Sequence, residues 1–251
     1  MIDIQHLTKR FNHNTIFEDL NLSIDSGEVL GIIGPSGAGK STLLRCLNLL
    51  EEPDQGLITI DKSVYDVKKD SKKQAHLFRQ QTSMVFQQFN LFQQKTVLEN
   101  VMEGLITVKK LDRNEAEKKA THYLQAVDLE NRLNYYPQQL SGGQQQRVGI
   151  ARGLAMESGV LLLDEPTSAL DTELVAEVLN TIKKVILNNK NQTVIIVSHE
   201  LAFIKDVATR VVFFDNGGIV ETGTPDKLFN YPEKERTALF LSRFKHSLKG
   251  A

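Results

Sequence analysis

The sequence has little of several features that would place it in whole classes of protein. Its only cysteine is Cys46, so no internal disulfide is expected and a reducing compartment is favoured. No stretch approaches about 18 consecutive apolar residues, so no membrane-spanning helix is expected. Residues 1–6 carry neither a basic start nor an apolar run, so no signal peptide is expected either. Membrane association would therefore need a partner.

An excess of charge of one sign is also missing. Thirty basic residues stand against thirty-one acidic ones, for a net charge of −1. No overall field therefore attracts DNA, RNA or an anionic membrane, and we expect no nucleic-acid partner. The composition, 41% hydrophobic and 24% charged, allows a substantial core in one large domain or a core plus a subdomain. The sequence contains no internal repeat or low-complexity linker, which favours a single unit.

A glycine-rich segment fits the P-loop pattern. Residues 29–33 before it are typical of a buried strand, and four leucines behind it predict an apolar helix face: Leu43, Leu44, Leu47 and Leu50. Glycines let the backbone curl so that its amides point at a β-phosphate. Lys40 would reach the β- and γ-phosphates, and the Ser41 hydroxyl would bind Mg²⁺. The predicted nucleotide-binding residues here are Gly34, Pro35, Ser36, Gly37, Ala38, Gly39, Lys40, Ser41 and Thr42.

Two adjacent acids follow a run of four apolar residues. Residues 160–163 suit a central parallel strand buried on both faces, and ligands of open α/β sheets bind at the carboxyl ends of such strands. We expect Asp164 to hold Mg²⁺ through water, opposite Ser41. Glu165 suits the general base that orients and activates the attacking water. The alternative is that both acids merely end the strand ahead of Pro166.

A third segment, Leu140–Gln144, combines a helix cap with two glycines. Ser141 and Gln144 are spaced as a capping box that opens a helix, and residues 148–155 continue with an amphipathic pattern. Each glycine should cost such a helix about 1 kcal/mol relative to alanine, which capping does not explain. Bare amides at a positive helix end, beside a hydroxyl, suit an anionic phosphate. The predicted phosphate contacts are Ser141, Gly142, Gly143 and Gln144.

Together these three segments resemble the ATP-binding cassette (ABC) ATPase family, and the resemblance covers nearly the whole chain. It implies ATP as the nucleotide and Mg²⁺ as its metal. In that family two cassettes pair head to tail, so that the helix after Leu140–Gln144, the signature helix, closes over the ATP bound by the P-loop of the other cassette. The resemblance therefore implies a homodimer with composite sites.

Four further positions resemble functional residues of that family. Gln87, after the strand-like residues 83–86, resembles the Q-loop glutamine, with a catalytic role and a place in the metal site. Asp171, which ends the D-loop segment Ser168–Asp171, resembles an aspartate near the nucleotide. His199, after residues 193–197, resembles the switch histidine that contacts the γ-phosphate. Phe11 resembles the aromatic residue that stacks on adenine, where tyrosine is commoner.

Each of these four assignments has an alternative. Gln88 follows Gln87, so the register could differ by one residue. Asp171 could simply cap a helix over residues 172–187. A histidine after a strand is often no more than a hydrogen-bonded loop residue, and Phe11 could equally be a core residue.

We expect an α/β fold: a P-loop NTPase (RecA-like) core with an antiparallel β-subdomain and an inserted helical subdomain. The predicted division of the single ABC domain, residues 1–251, is a nucleotide-binding core with the β-subdomain over residues 1–86 and 158–229. The helical subdomain with the signature helix takes residues 87–157, and a C-terminal helix takes residues 230–251. Strands are expected at residues 2–8, 16–24 and 57–60, and again at 211–214 and 218–221.

Residues 84–92, which contain the Q-loop segment Gln87–Phe92, and residues 96–101 resemble the Q-loop region of ATPases that energise bacterial polar amino acid importers. Residues 235–244 resemble the short ending of that group, although an ordinary amphipathic helix that packs on the core is the alternative. The sequence ends at Ala251, so we expect no appended regulatory domain. This implies permease subunits in the membrane as partners, with a periplasmic or surface solute-binding protein acting indirectly. It also implies a peripheral location on the cytoplasmic face of the inner (plasma) membrane. An ABC ATPase of lipid or lipoprotein traffic or of cell division, or a soluble family member outside transport, stays an alternative.

Overall fold

The computed structural model describes residues 1–12, 14–70, 72–189 and 191–244. These residues form both strands and helices, beginning with three consecutive strands. The strands are β1 (Ile2–Phe11), β2 (Asn14–Ile24), β3 (Val29–Ile33), β4 (Gln55–Ile60), β5 (Ser63–Asp66), β6 (Thr82–Val85), β7 (Val160–Asp164), β8 (Thr193–Val197), β9 (Arg210–Asp215) and β10 (Gly218–Gly223). The α-helices are α1 (Lys40–Leu47), α2 (Lys72–Arg79), α3 (Val97–Thr107), α4 (Arg113–Ala126), α5 (Gly142–Ala155), α6 (Thr172–Asn188), α7 (Leu201–Val207), α8 (Pro225–Asn230) and α9 (Glu235–Ser242).

The chain forms two compact units. The first combines Met1–Thr82 with the C-terminal part from Asn191, and the second is Ser83–Lys190. The second unit contains the helices expected of a helical subdomain, and it also contains β7 and α6. The division into residues 1–86, 87–157, 158–229 and 230–251 stays a prediction.

The first unit contains the expected antiparallel sheet, with strand order β2-β1-β4-β5. Ile2 pairs with Ile24 on one side and with Ile60 on the other, and all three side chains are buried. This apolar face packs into the core while alternate residues face outward, which is the usual behaviour of a half-buried antiparallel sheet. Strand β5 was not predicted from the sequence.

The first unit also contains the parallel strands that precede the P-loop and His199. Strand β3 pairs in parallel with β8, with Ile32 opposite Val197, and in parallel with β9, with Ile33 opposite Phe213. Strand β10 is antiparallel to β9. Every residue of β3 and β8 is buried, as expected for strands covered on both faces. The expected α/β fold is confirmed.

The expectation that Leu50 belongs to the apolar face of the helix is wrong. Leu43, Leu44 and Leu47 are buried on α1, but the helix ends at Leu47 and Leu50 is 54% exposed. Leu49 adopts a left-handed φ of +55°, which turns the chain out of the helix. The apolar face of the helix therefore contains three of the four leucines and not Leu50. Cys46, on the same helix, is fully buried, as a small core residue would be.

The second unit is built around α5, which packs against α3, α4 and α6. The helix is buried on more faces than the amphipathic pattern predicted, because Gln146, Arg147 and Gly149 are buried together with the apolar stripe. Strand β7 lies beside β6 in the sheet, and all five residues of β7 are buried.

The C-terminal part of the first unit contains α8 and α9. Helix α9 lies within residues 230–251, where a C-terminal helix is predicted. Residues 245–251 of that prediction lie outside the described residues. Over the part of the chain that the structure describes, no helix combines the length and the apolar character needed to cross a bilayer.

Candidate functional site

The P-loop connects β3 to α1 in a backbone conformation that its first glycine makes possible. Gly34 has φ +151°, and a Cβ built there would lie 1.9 Å from the carbonyl oxygen of Phe214. The loop thus packs directly against the backbone of β9. Lys40 begins α1 and is buried, and its Nζ donates hydrogen bonds to the carbonyl oxygens of Gly34 (2.9 Å) and Pro35 (2.7 Å). The ammonium group is therefore held over the loop, where a bound phosphate would lie.

Two further predicted site residues, His199 and Phe11, lie in the first unit, as the P-loop does. The parallel pairing of β3 with β8 places the carboxyl ends of both strands at one edge of the sheet, so the P-loop and His199 start from the same edge. His199 is exposed. Because ligands bind at this edge in open α/β sheets, the position suits a γ-phosphate contact.

Phe11 ends β1, on the hairpin that β1 forms with β2. The side chain of Ile16, on β2, lies 2.9 Å from a Cβ built at Gly39, so this hairpin packs against the P-loop. The Phe11 ring is 40% exposed, which argues against the alternative that it is a core residue. Lys9 Nζ lies 4.6 Å from the ring centroid, a distance typical of a cation–π contact.

In the second unit, the predicted acid pair ends β7. Asp164 is buried, and Glu165 is half-buried with a φ of +45°. A left-handed non-glycine residue costs of order 1–3 kcal/mol and persists only where its surroundings impose it. Here the amide and the hydroxyl of Ser168 both donate to the Glu165 carbonyl oxygen, at 3.2 and 3.0 Å. The tight turn after the strand thus sets the direction of the Glu165 side chain.

The Q-loop segment begins two residues after β6, and Gln87 is exposed. Two side chains of the signature helix α5 hold the backbone around it. Gln146 Nε2 donates to the carbonyl oxygen of Phe86 (3.2 Å), and the Arg152 guanidinium donates to those of Asn90 (2.8 Å) and Phe89 (3.3 Å). Burial lowers the pKa of Arg152.

The sequence analysis did not single out Gln146 or Arg152. Gln146 belongs to a run of three glutamines that suggests an exposed helix face. Its spacing does carry a signal, since it lies three residues after the buried Gly143 and four before the buried Ile150, on one stripe of the helix.

The capping box at the start of α5 is confirmed. The Gln144 amide donates to Ser141 Oγ (3.2 Å), and the Ser141 amide donates to Gln144 Oε1 (3.0 Å). The structure also shows which side chains surround the first glycine. A Cβ built at Gly142 would lie 3.3 Å from Leu170 Cδ2 and 3.5 Å from Phe89 Cζ. The signature segment Leu140–Gln144 therefore lies against both the D-loop segment and the Q-loop segment.

Asp171 occupies the N-cap position of α6. Its side chain makes no capping hydrogen bond, and only its carbonyl oxygen accepts from the amide of Leu174 (2.9 Å). The side chain is exposed. The alternative that Asp171 serves as a side-chain cap is therefore not supported.

The residues predicted to hold Mg²⁺ are chemically suitable. Ser41, Gln87 and Asp164 offer hydroxyl, amide and carboxylate oxygens, which are the hard donors this ion prefers. Among the described residues, no group of three or more His, Cys, Asp or Glu side chains is placed to hold a metal without other ligands. Magnesium at nucleotide sites usually keeps several waters and binds through one or two carboxylates together with substrate phosphates. A set with the single carboxylate of Asp164 and two neutral oxygen donors is compatible with that chemistry.

Fold and site together define a P-loop nucleotide-binding protein. The sequence matches the ABC transporter family over residues 17–168. It is 51% identical, over 97% of this chain and 93% of the relative, to the L-cystine import ATP-binding protein TcyN of Bacillus subtilis (strain 168). It is 45% identical to the glutamine transport ATP-binding protein GlnQ of the same organism, over 97% of this chain and 98% of the relative.

A solved structure of an ATP-binding cassette is also similar to this chain. The dimeric post-hydrolysis state of an ATP-binding cassette bound to ADP and Pi matches with a TM-score of 0.76 and 32% identity, over 90% of this chain and 99% of the other. The chain belongs to the ABC transporter family. It is an ATPase of that family, which confirms the resemblance noted from its motifs.

Proposed function

We propose that this protein is the ATP-binding subunit of an importer of polar amino acids and that it hydrolyses ATP to drive a partner membrane permease. The observation that carries the proposal is its 45–51% identity, over nearly its full length, to ATP-binding subunits named for cystine and glutamine import. A solute-binding protein outside the membrane would deliver the substrate. The ATPase would act at the cytoplasmic face, attached to the permease.

The site residues divide the chemistry between them. The P-loop amides and Lys40 bind the phosphates, Glu165 activates the attacking water, and His199 contacts the γ-phosphate. Bound Mg²⁺ would neutralise charge on the phosphates, held by Ser41 and Asp164 with Gln87 beside it. The Phe11 ring, with one cation already over it, would stack on adenine.

We further propose that the active form is a head-to-tail homodimer. Ser141 is exposed at the start of α5, where helix amides and the positive helix end favour an anion. In the dimer each Leu140–Gln144 segment would cover the ATP on the other copy. Asp171, exposed and without a capping bond, would lie near the same interface.

The general-base role is tested with Glu165→Gln. The amide keeps the shape of the side chain but lacks the basicity, so hydrolysis should fall by about 100-fold or more while ATP binding persists. Phosphate release and equilibrium ATP binding would be measured on the same preparation. Glu173→Gln, an exposed acid in the first turn of α6, is the matched control and should leave both unchanged. Near-normal turnover by Glu165→Gln would remove Glu165 from the catalytic role.

The transport assignment is tested by reconstitution in liposomes with the natural permease and solute-binding protein. ATP hydrolysis should be slow for the isolated chain and stimulated in the complex, and labelled cystine, glutamine or arginine should accumulate inside the vesicles. A complex that moves no amino acid and instead extracts lipid or lipoprotein would contradict the substrate assignment while leaving the ATPase chemistry intact.

Coupling to the permease is tested at the Q-loop segment. Phe92 is 45% exposed, and its backbone is fixed on both sides by the buried Asn100, whose Oδ1 accepts from the Phe92 amide (2.8 Å) and whose Nδ2 donates to the Phe92 carbonyl oxygen (3.1 Å). An exposed ring on a rigid segment suits a docking contact. Phe92→Ser should reduce transport while sparing basal hydrolysis. Tyr231→Ser, at a more exposed ring elsewhere, is the control and should leave both transport and hydrolysis unchanged.

A further inference from the structure

The turn between β9 and β10 has a conformation that only a few residue types adopt. Asp215 pairs with Gly218 across a two-residue turn, in which Asn216 has φ +49° and Gly217 has φ +74°. Positive φ at both central residues defines a type I′ hairpin turn, for which Asn-Gly is the preferred pair. The turn is therefore a rigid element whose position depends on what holds its ends.

This turn supports the P-loop. The Gly217 amide donates to the carbonyl oxygen of Ala38 (3.3 Å), and the Phe214 carbonyl lies against Gly34, as described above. On the opposite side, a Cβ built at Gly217 would lie 2.1 Å from the carbonyl oxygen of Ile16. The turn is thus inserted between β2 and the P-loop, so a displacement of the turn would displace the loop that holds the phosphates.

The buried carboxylate of Asp215, the last residue of β9, fixes the start of the turn. The Asp215 side chain is only 5% exposed. One of its oxygens accepts from the Asn216 amide (2.9 Å), and the other accepts from Arg236 Nε on α9 (2.5 Å). Pro35 of the P-loop lines the same small cavity as Asp215 and Arg236.

Helix α9 is itself anchored on β9. The ring of Phe240 is buried and lies 5.1 Å, centroid to centroid, from the ring of Phe213. Arg236, four residues earlier, lies on the same face of the helix and reaches the end of β9. The C-terminal helix therefore has a direct polar connection to the turn under the P-loop.

We propose that Arg236 is a positioning residue for ATP binding. Its ion pair with Asp215 holds the Asn216–Gly217 turn in the position that keeps Ala38 and Gly34 in their nucleotide-binding conformation. The C-terminal helix thereby sets the affinity of the P-loop for nucleotide. This inference rests on the proposed role of the P-loop as the ATP site, and it adds a residue that is not among the site residues predicted from the sequence.

Arg236→Gln is the first test. It removes the cation and leaves the buried Asp215 carboxylate without its ionic partner, a situation that loosens the surrounding structure. The dissociation constant of a fluorescent ATP analogue should rise by about three- to ten-fold, the range of effects that such distant positions exert. The kcat at saturating ATP should stay within about two-fold of wild type, since no catalytic group is touched.

The matched control is Lys227→Gln. It breaks another ion pair in the C-terminal part, between Lys227 and Glu233 (2.7 Å), at exposed side chains. Its nucleotide affinity should equal that of the wild type. The double variant Asp215→Asn/Arg236→Gln leaves no buried charge, so its melting temperature should recover above that of Arg236→Gln while its affinity for the analogue stays reduced.

Binding is measured well below each melting temperature, so that a loss of folded protein does not enter the affinity. A lower melting temperature of Arg236→Gln with unchanged affinity for the analogue would show a purely structural ion pair and overturn the proposal. An equal loss of affinity in the control Lys227→Gln would also overturn it. If Arg236→Gln does not fold, Arg236→Lys, which keeps the charge but not the planar fork, should bind the analogue more weakly than wild type. Lys40→Ala separates the two proposals: wild-type affinity there would overturn the P-loop site itself, whatever Arg236 does.

Discussion

The P-loop and the signature segment are both glycine-rich, but their glycines are required for different reasons. Gly34 combines a left-handed φ with a Cβ position 1.9 Å from a backbone oxygen, and backbone atoms cannot move aside. Gly142 has ordinary helical geometry at the start of α5, and its Cβ position is 3.3 Å from a terminal methyl group of Leu170. A flexible side chain can shift by a few tenths of an ångström.

The two glycines differ in whether backbone conformation or only side-chain packing limits a substitution. At Gly34 any side chain conflicts with the fold itself, whereas at Gly142 a methyl group is tight but tolerable. A requirement for glycine at Gly142 would therefore come from what approaches the helix end from outside, which is the phosphate in the proposed dimer.

The largest effect is expected for Gly34→Ala. Strain at a left-handed position, added to a backbone clash, should destabilise the protein by about 3 kcal/mol or more and abolish ATP binding. Urea unfolding and equilibrium ATP binding are the measurements. Gly218→Ala is the control, because a Cβ there meets nothing within 4 Å. A stable Gly34→Ala variant that binds ATP normally would show that the P-loop can occupy another position.

Ser141→Arg should have the next largest effect, and only on hydrolysis. A bulky side chain at the exposed start of α5 would block closure over the other copy's ATP and lower turnover by about 100-fold. The variant's own P-loop should bind ATP within about two-fold of wild type. A large loss of ATP affinity in the Ser141→Arg monomer would instead mean that the segment acts within one chain.

A mixed dimer extends that test. One copy with Ser141→Arg and one with Lys40→Ala place both lesions in the same composite site and leave the other site intact. Such a dimer should hydrolyse ATP, while either variant paired with itself should not. An inactive mixed dimer would contradict the head-to-tail arrangement.

The smallest effect is expected for the stability of Gly142→Ala. Alanine gains about 1 kcal/mol of helix propensity, and the contact with Leu170 offsets part of it, so the free energy of unfolding should change by less than about 1 kcal/mol. Gly149→Ala, where a Cβ would meet only the Phe89 carbonyl oxygen, at 3.8 Å, should stabilise the protein more. A loss above 2 kcal/mol in Gly142→Ala would place that glycine in the same category as Gly34.

Local sequence rules predicted much of this fold. Strand β8 begins and ends where its β-branched run does, and the capping box at Ser141 and Gln144 forms as spaced. The strand, loop and helix around the P-loop follow from apolar runs interrupted by glycines. These features depend on residues within about four positions of each other, and a sequence displays such neighbours directly.

Burial across the fold could not be predicted in this way. Leu50 continues the helical periodicity but is exposed because the chain turns at Leu49, and Gln146 is buried under the carbonyl of Phe86, sixty residues away. The exposure of Phe11 distinguishes an adenine-stacking ring from a core residue, and it depends on how the β1–β2 hairpin packs. None of these outcomes is a property of the neighbouring residues alone.

Short-range geometry sets most of the strands and helices, the glycine-rich turn of the P-loop and the positions of the acid pair and of the helix cap, so all of these could be predicted from neighbouring residues. Long-range packing sets the rest: Phe214 lies under Gly34, Leu170 lies against Gly142, and Arg236 reaches Asp215. Those contacts join residues that are 21 to 180 positions apart. Close packing selects such partners from the whole chain, and no local pattern records which ones it selects.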